Sequence, residues 1–243
     1  MFTKKVNRES GRGRGRPPGP TQQGQEMRQR LYETAINLIT ERGYASTTLR
    51  DVAEAAEVSV GLLYKYFPSK RAVVLELYDQ LSADYAARAA EMRSGKWRER
   101  FLFALRICLE VLGPHRNTLA ALVPVLVGDP EEGLFASNTA FSRVRVEKVF
   151  RDAVVGATDS PGPKLAAALG RLLYLFHLAV ILWWLLDKSP RQRATDGLLV
   201  LLQRVLPPAA LAVRFPPIPS FVRSADALFR DGFLQEVRPP RDQ

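Results

Sequence analysis

Residues 31–70 read LYETAINLITERGYASTTLRDVAEAAEVSVGLLYKYFPSK, and their pattern decides the fold. Leu31, Ala35, Leu38 and Ile39 fall on one helical face, at spacings of four, three and one. Gly43, just after Glu41-Arg42, is the kind of residue that stops a helix with a positive φ. Thr48 starts a second helix, and Asp51, three residues on, is its capping-box partner. That helix is short, with Leu49, Val52, Ala53 and Ala56 pointing inward. Ser59 caps a third short helix, closed by Pro68. Ser69 caps a fourth, longer one, expected to reach about Met92. Residues 21–68 therefore hold three helices, the last two joined by a tight turn. This is the layout of a helix-turn-helix.

The third helix has the size that a major groove admits. Gly61 near its start lets a backbone approach closely. Backbone N–H groups at the helix starts, Thr48 and Ser59, suit phosphate oxygens. Leu63 and Phe67, four apart, face the core. Val60, Leu62, Tyr64 and Lys65 are left on the other faces, where apolar side chains suit thymine methyl groups.

Taken in order, Arg42-Gly43-Tyr44, Thr47-Thr48, Arg50-Asp51-Val52-Ala53, Val58-Ser59, Gly61, Leu63-Tyr64, Tyr66-Phe67 and Ser69-Lys70 resemble the DNA-binding segment of the TetR family of transcriptional regulators. The resemblance covers about a fifth of the chain. It implies that Val60, Gly61 and Tyr64 touch bases or methyl groups. Thr48, Leu62, Tyr66 and Lys70 would touch the DNA backbone, and Arg50 would read a guanine. A solvated surface charge is the alternative for Arg50 and Lys70, and a half-buried aromatic for Tyr66. Two positions depart from the family. Leu62 stands where Thr is common, which removes a hydroxyl from the phosphate contact. Glu57 stands where Gly is usual, so a positive φ there is strained.

The chain has 243 residues, 47% hydrophobic and 25% charged, with a net charge of +10. The balance favours an anionic partner. About half of the excess lies in residues 1–20, where Lys4, Lys5, Arg8, Arg12, Arg14 and Arg16 face Glu9 alone. This Gly-, Pro- and Arg-rich arm is expected to be disordered when free. Its Gly13-Arg14-Gly15-Arg16-Pro17-Pro18 resembles an AT-hook core, with Arg14 and Arg16 entering a minor groove. Non-specific phosphate attraction and a solubility tail are the alternatives. The one cysteine, Cys108, allows no intrachain disulfide and fits a reducing cytoplasm. The apolar run Leu172–Leu186 is too short for a bilayer and holds His177, so a buried or interface helix is expected and no membrane partner. Two histidines, one cysteine and no glycine-rich phosphate loop speak against an enzyme, and no cofactor or metal is implied.

The rest of the chain also reads as helix, giving an all-α protein: a three-helix DNA-binding domain (21–68), then a helical ligand-binding and dimerisation domain (69–206). A Pro-rich tail (207–243) follows, with a short helix near Ser224–Arg230. Pro124 is expected to kink or break a helix, Ser160-Pro161 to start one, and Ser189-Pro190-Arg191-Gln192 to start the next. Pro207-Pro208 is expected to end it. The TetR resemblance implies a homodimer through Ser160–Leu186 and Ser189–Leu206. Trp183 and Trp184, about 100° apart on a helix, are expected to face core and partner between them, with both in the core as the alternative. On that reading a charge at Trp184 should dissociate the pair. A dimer reads a pseudo-palindrome of double-stranded DNA. The family's habit implies repression, relieved by a small apolar effector. Candidate effector contacts are Trp97, Phe101, His115, Phe141, Phe176, His177 and Trp183, each with plain core as the alternative. The second class of reading is a ligand-independent or partner-controlled architectural DNA binder.

Overall fold

The computed structural model describes residues 21–234, which form ten α-helices, with no strand among the described residues. α1 (Gln22–Arg42) is capped by Thr21, whose hydroxyl accepts the Gly24 N–H at 3.2 Å. It stops at Gly43, where φ is 85°. α2 (Leu49–Ala55) opens on the expected Thr48–Asp51 capping box. α3 (Val60–Tyr66) is capped by Ser59, and α4 (Lys70–Ala89) by Ser69. α4 ends three residues before Met92.

The turn between α2 and α3 carries the strain expected of it. Glu57 has φ 53°, a conformation costing of order 1 kcal/mol or more in a non-glycine residue. It is held because the Val58 N–H reaches the Ala53 carbonyl at 2.9 Å, closing the end of α2. Arg30 adds a bond from its guanidinium to the Ala56 carbonyl at 2.8 Å. Two seven-residue helices bury little by themselves. Their core is completed by Leu31, Ala35, Leu38 and Ile39 of α1, by Leu63 and Phe67, and by Val73, Val74 and Leu77 of α4.

Beyond α4 come α5 (Trp97–Leu112), α6 (Arg116–Gly128), α7 (Ala140–Val155), α8 (Pro163–Leu186), α9 (Arg193–Ala212) and α10 (Ile218–Phe229). α7 and α8 are in tight contact at Gly170, where a Cβ would lie 2.7 Å from the Arg151 Cα. α8 is long and apolar enough to cross a bilayer by length and composition. Here its inner face, from Ala166 through Leu173 and His177 to Trp184, is packed inside the protein. α10 is fastened to α8 by Arg171, which donates to both oxygens of buried Asp226 at 2.5 and 2.6 Å.

The prolines do not punctuate the helices as expected. Pro124 lies within a continuous α6, and Pro207 and Pro208 lie within α9, which runs on to Ala212. A proline ring already holds a helical φ; what it removes is a hydrogen bond. The carbonyls released by Pro207 and Pro208 belong to Gln203 and Arg204, both exposed. Burial of Leu206, Ala210 and Val213 then carries the helix onward. The boundary expected at residue 206 thus falls inside a helix, and the expected short tail helix is the longer α10.

Two helix starts also move. The Ser160 hydroxyl donates to the Pro161 carbonyl at 3.2 Å instead of capping, and α8 begins at Pro163 with Gly162 before it. Before α9, the Ser189 hydroxyl accepts the Ala194 N–H at 2.9 Å, and Asp187, not Gln192, supplies the further caps. Its carboxylate accepts the Thr195 hydroxyl at 2.7 Å and the N–H groups of Thr195 and Ser189 at 2.9 and 2.8 Å. The Thr195 hydroxyl and these neighbours hold its pKa well below the usual carboxylate range. Gln192 instead accepts the Trp184 indole N–H at 2.6 Å.

Candidate DNA interface and inner cavity

α3 stands on the surface with two faces of opposite character. Leu63 is fully buried, and Phe67 behind it packs in the core with Arg28 over its ring at 5.0 Å. On the other side Val60 is 37% exposed and Tyr64 51% exposed. Gly61 and Lys65 are exposed with them, and no atom lies within 4 Å of where a Gly61 Cβ would be. Leu62 and Tyr66 are half-buried, and Arg50 is exposed on α2. The residues Ser59, Val60, Gly61, Tyr64 and Lys65 therefore form one accessible strip. Thr48 is exposed too, but its own N–H donates to the Asp51 carboxylate at 2.7 Å, so the capping box uses it. Arg14 and Arg16 lie outside the described residues.

Lys70 does not reach outward as expected. Its ammonium lies 4.0 Å from the Tyr44 ring centroid, donates to the Thr47 carbonyl at 2.8 Å and also bonds the Tyr44 carbonyl. Burial lowers its pKa, and the charge of Glu132 partly offsets this. The loop that precedes α2 is thus gripped by the first residue of α4. A second grip comes from the segment after α6. Buried Glu132 accepts the Tyr44 hydroxyl at 2.5 Å and the Arg71 guanidinium at 3.2 Å, while Arg71 also pairs with Glu131. Asp129 holds that segment in shape by accepting the N–H groups of Glu131 and Glu132, each at 2.8 Å.

Two residues beyond Glu132, Leu134 and Phe135 form part of the wall of a cavity of about 310 Å³. α4 contributes Tyr78, Leu81, Ser82 and Tyr85 to this wall. α5 adds Cys108 and Leu112, α6 adds Leu119, Val123 and Leu126, and α7 adds Arg143 and Val146. α8 supplies Tyr174, His177, Leu178, Ile181 and Leu185. The His177 Nδ1 faces the Tyr174 carbonyl at 3.3 Å and its Nε2 faces the Cys108 Sγ at 3.2 Å. With the proton on Nδ1, the thiol donates to Nε2. Burial pushes the histidine down to about 3 and the thiol up, so both are neutral at pH 7. Arg143 spends its Nη1 on the Ala136 and Leu134 carbonyls, at 3.1 and 3.4 Å.

Of the residues expected around an effector, this wall includes His177 alone. Trp97 and Phe101 are buried elsewhere, with the Trp97 N–H on Asp159 at 2.8 Å and Phe101 against Phe150 and Phe176 at 5.9 and 6.2 Å. Phe141, Phe176 and Trp183 are exposed, and His115 is half-buried in the turn before α6. The reason is rotational: on α8, Phe176 is about 100° round the helix from His177. Tyr78 and Tyr85 went unnoticed, although their spacing of seven sets both on one face of α4.

The tryptophan pair is split as expected, with the roles now assigned. Trp184 is 3% exposed, with Arg116 over its ring at 5.6 Å; Trp183 is 51% exposed. A charge at Trp184 would therefore strike the core, and Trp183 is the residue on the outer face. With Trp183 are exposed Phe176, Leu182 and Leu186 of α8, and Val200, Leu201 and Val205 of α9.

Comparison with known proteins agrees with this geometry. The family of bacterial regulatory proteins described as tetR family matches residues 31–77. The transcriptional regulator TtgR of Pseudomonas putida is 40% identical over 72 residues, which cover 29% of this chain and 34% of TtgR. The regulator HbdR of an Aromatoleum strain is 25% identical over 220 residues, covering 85% of this chain and 91% of HbdR. The chain spans only 18% and 34% of the length of two curated relatives that it matches at 38% and 40% identity. A tetR-family regulator from Streptomyces coelicolor shares the fold, with a TM-score of 0.56, 22% identity, and 84% and 89% of the two chains covered.

Proposed function

Because the chain belongs to the tetR family of transcriptional regulators, we propose that it acts in the cytoplasm as a homodimeric repressor. It binds a pseudo-palindromic operator in double-stranded DNA and is released by a small apolar effector. The observation that carries the DNA reading is the accessible strip of α3, where Val60, Gly61, Tyr64 and Lys65 stand away from the core. Such a strip suits base edges and thymine methyl groups in a major groove. Ser59, Arg50 and the first turn of α2 flank it toward the phosphates.

The dimer reading rests on the outer apolar residues of α8 and α9. Two consecutive helices that leave Trp183, Leu186, Leu201 and Val205 uncovered are completed by the same pair from a second copy. Two α3 helices then sit about one DNA turn apart, or a multiple of it.

The effector reading rests on the cavity and on what surrounds it. α4 starts at the loop that carries Thr48 and lines the cavity further along. The segment 129–136 likewise touches Tyr44 and Arg71 at one end and the cavity at the other. A ligand that favours one placement of these two elements shifts the spacing of the α3 pair; one without such preference shifts nothing. The cavity favours this sensor over a ligand-independent architectural binder.

The test is Tyr64→Ala, studied alongside selection of bound fragments from random DNA. Wild type should enrich a palindrome. The variant should lose specific binding and keep its helical circular dichroism. Enrichment of sequences without two-fold symmetry, or full operator affinity in the variant, would refute the reading.

A further inference from the structure

Two tyrosines of the cavity wall carry buried hydroxyls without a protein partner. Tyr85 is 1% exposed and Tyr78 is 7% exposed, both line the cavity, and neither phenolic oxygen has a hydrogen-bond partner. A buried donor left unpaired costs free energy that a bound acceptor would recover. Ser82, Thr139, Cys108 and His177 on the same wall have partners of their own. Ser82 donates to the Asp79 carbonyl at 3.2 Å and accepts from Arg145 at 2.6 Å; Thr139 donates to the Gly133 carbonyl at 2.7 Å. Cys108 and His177 face each other. The remaining wall is largely Leu, Ile, Val and Phe. A water molecule needs two to four partners, and two single donors in an apolar wall are poor hosts for it.

The two tyrosines are seven residues apart on one helix, about 10 Å along its axis. Burial keeps both phenols protonated, so each offers a proton. Among the described residues, the one charged side chain on the wall is Arg143, whose Nη1 is bonded to the Ala136 and Leu134 carbonyls. No carboxylate lines the wall.

We infer that the cavity takes an uncharged, largely apolar molecule bearing a carbonyl or similar acceptor oxygen, received by the hydroxyl of Tyr85 or Tyr78. This rests on the reading of the cavity as the effector site and adds the ligand's chemistry to it. At about 310 Å³ the cavity lies at the small end of the range for drug-sized sites. The acceptor separates this class from plain hydrocarbons, and the cost of burying an ion against a largely apolar wall separates it from carboxylates.

The test uses three probes of nearly one shape on the full-length protein: benzophenone, diphenylmethane, which lacks the carbonyl, and the diphenylacetate anion. Dissociation constants come from calorimetry. Wild type should bind benzophenone about tenfold more tightly than diphenylmethane, one hydrogen bond's worth of preference, and diphenylacetate least tightly. The double variant Tyr78→Phe, Tyr85→Phe should bind the two neutral probes equally. It removes only unpaired buried hydroxyls, so it should fold and melt at least as high as wild type. Equal binding of the neutral probes by wild type, a preference that survives in the double variant, or tightest binding of the anion would each overturn the inference. Operator release is measured separately, by fluorescence anisotropy of labelled DNA. Tight benzophenone binding without release would refute the effector reading while leaving the cavity chemistry in place.

Discussion

Lys70 shows how one side chain serves binding without touching the ligand. Its ammonium is spent on the carbonyls before α2, so its contribution is to hold Thr48 and the first turn of α2 in place. Lys70→Met should weaken operator binding several-fold yet leave the slope of log K against log salt unchanged. A lysine on a phosphate would reduce that slope by about 0.9, and such a reduction would return Lys70 to the DNA surface. Lys65, exposed on α3, is the contrasting case in which the slope should fall. His177 acts on stability instead. Its folded pKa of about 3 lies below the ordinary histidine value because burial disfavours the charged ring. The unfolded chain therefore binds the proton more readily. The stabilisation is complete above about pH 6.5 and is lost as pH falls toward 3, at about 1.4 kcal/mol per pH unit. The carboxylates with lowered pKa, Asp51, Asp129 and Asp187, lose stability only below about pH 4. Urea unfolding between pH 6.5 and 4 isolates the histidine, and His177→Gln should flatten the dependence there. An equal slope in both proteins would mean that another group titrates.

At the scale of the helix, α8 and α9 are the pair whose outer faces are unfinished. Trp183→Asp places a charge on the outer face of α8, near the exposed Leu182 and Leu186, without entering the core. It should shift sedimentation from dimer to monomer and leave the melting of the single chain little changed. Trp184→Asp should do the opposite, unfolding the chain because its indole packs under Arg116 and donates to Gln192. A Trp183→Asp protein still dimeric at micromolar concentration would move the interface elsewhere. The contrast between these neighbours was legible in sequence only as an adjacency about 100° apart; which of the two turns inward depends on Arg116 and Gln192, which receive the Trp184 ring from elsewhere in the chain. Helix starts with a local cause were legible: Thr48 with Asp51, Ser59 and Ser69 cap within four residues of themselves. The ends at proline were not. Whether Pro207 and Pro208 break α9 depends on burial of Leu206, Ala210 and Val213 by distant chain, and a local pattern carries no record of that.

For the whole molecule, the cavity is what remains between α4, α5, α6, α7, α8 and the segment after α6, so no single periodicity reveals it. Aromatic residues at helical spacing showed which side chains turn inward, and Phe101 does so, but filling space and lining a void leave the same pattern. The accessible strip of α3 was legible because its fold is local, with the third helix fixed by a cap, a turn and a proline. On the proposed reading the basic arm belongs to this scale too, acting on DNA through its six basic side chains. Each phosphate neutralised by the arm adds about 0.9 to the salt slope. Deleting residues 1–20 should therefore weaken operator binding and flatten the slope by about 2 per subunit if Arg14 and Arg16 alone engage DNA, and by more if Lys4, Lys5, Arg8 and Arg12 join them. Minor-groove insertion adds a second signature: the loss should be larger on operators flanked by A·T tracts, whose narrow groove concentrates negative potential. Filter binding from 50 to 300 mM salt on A·T- and G·C-flanked operators distinguishes the outcomes. A flatter slope with no dependence on flanking sequence assigns the arm to general phosphate attraction, and an unchanged slope removes it from the complex, leaving α3 and the first turn of α2 as the contacts.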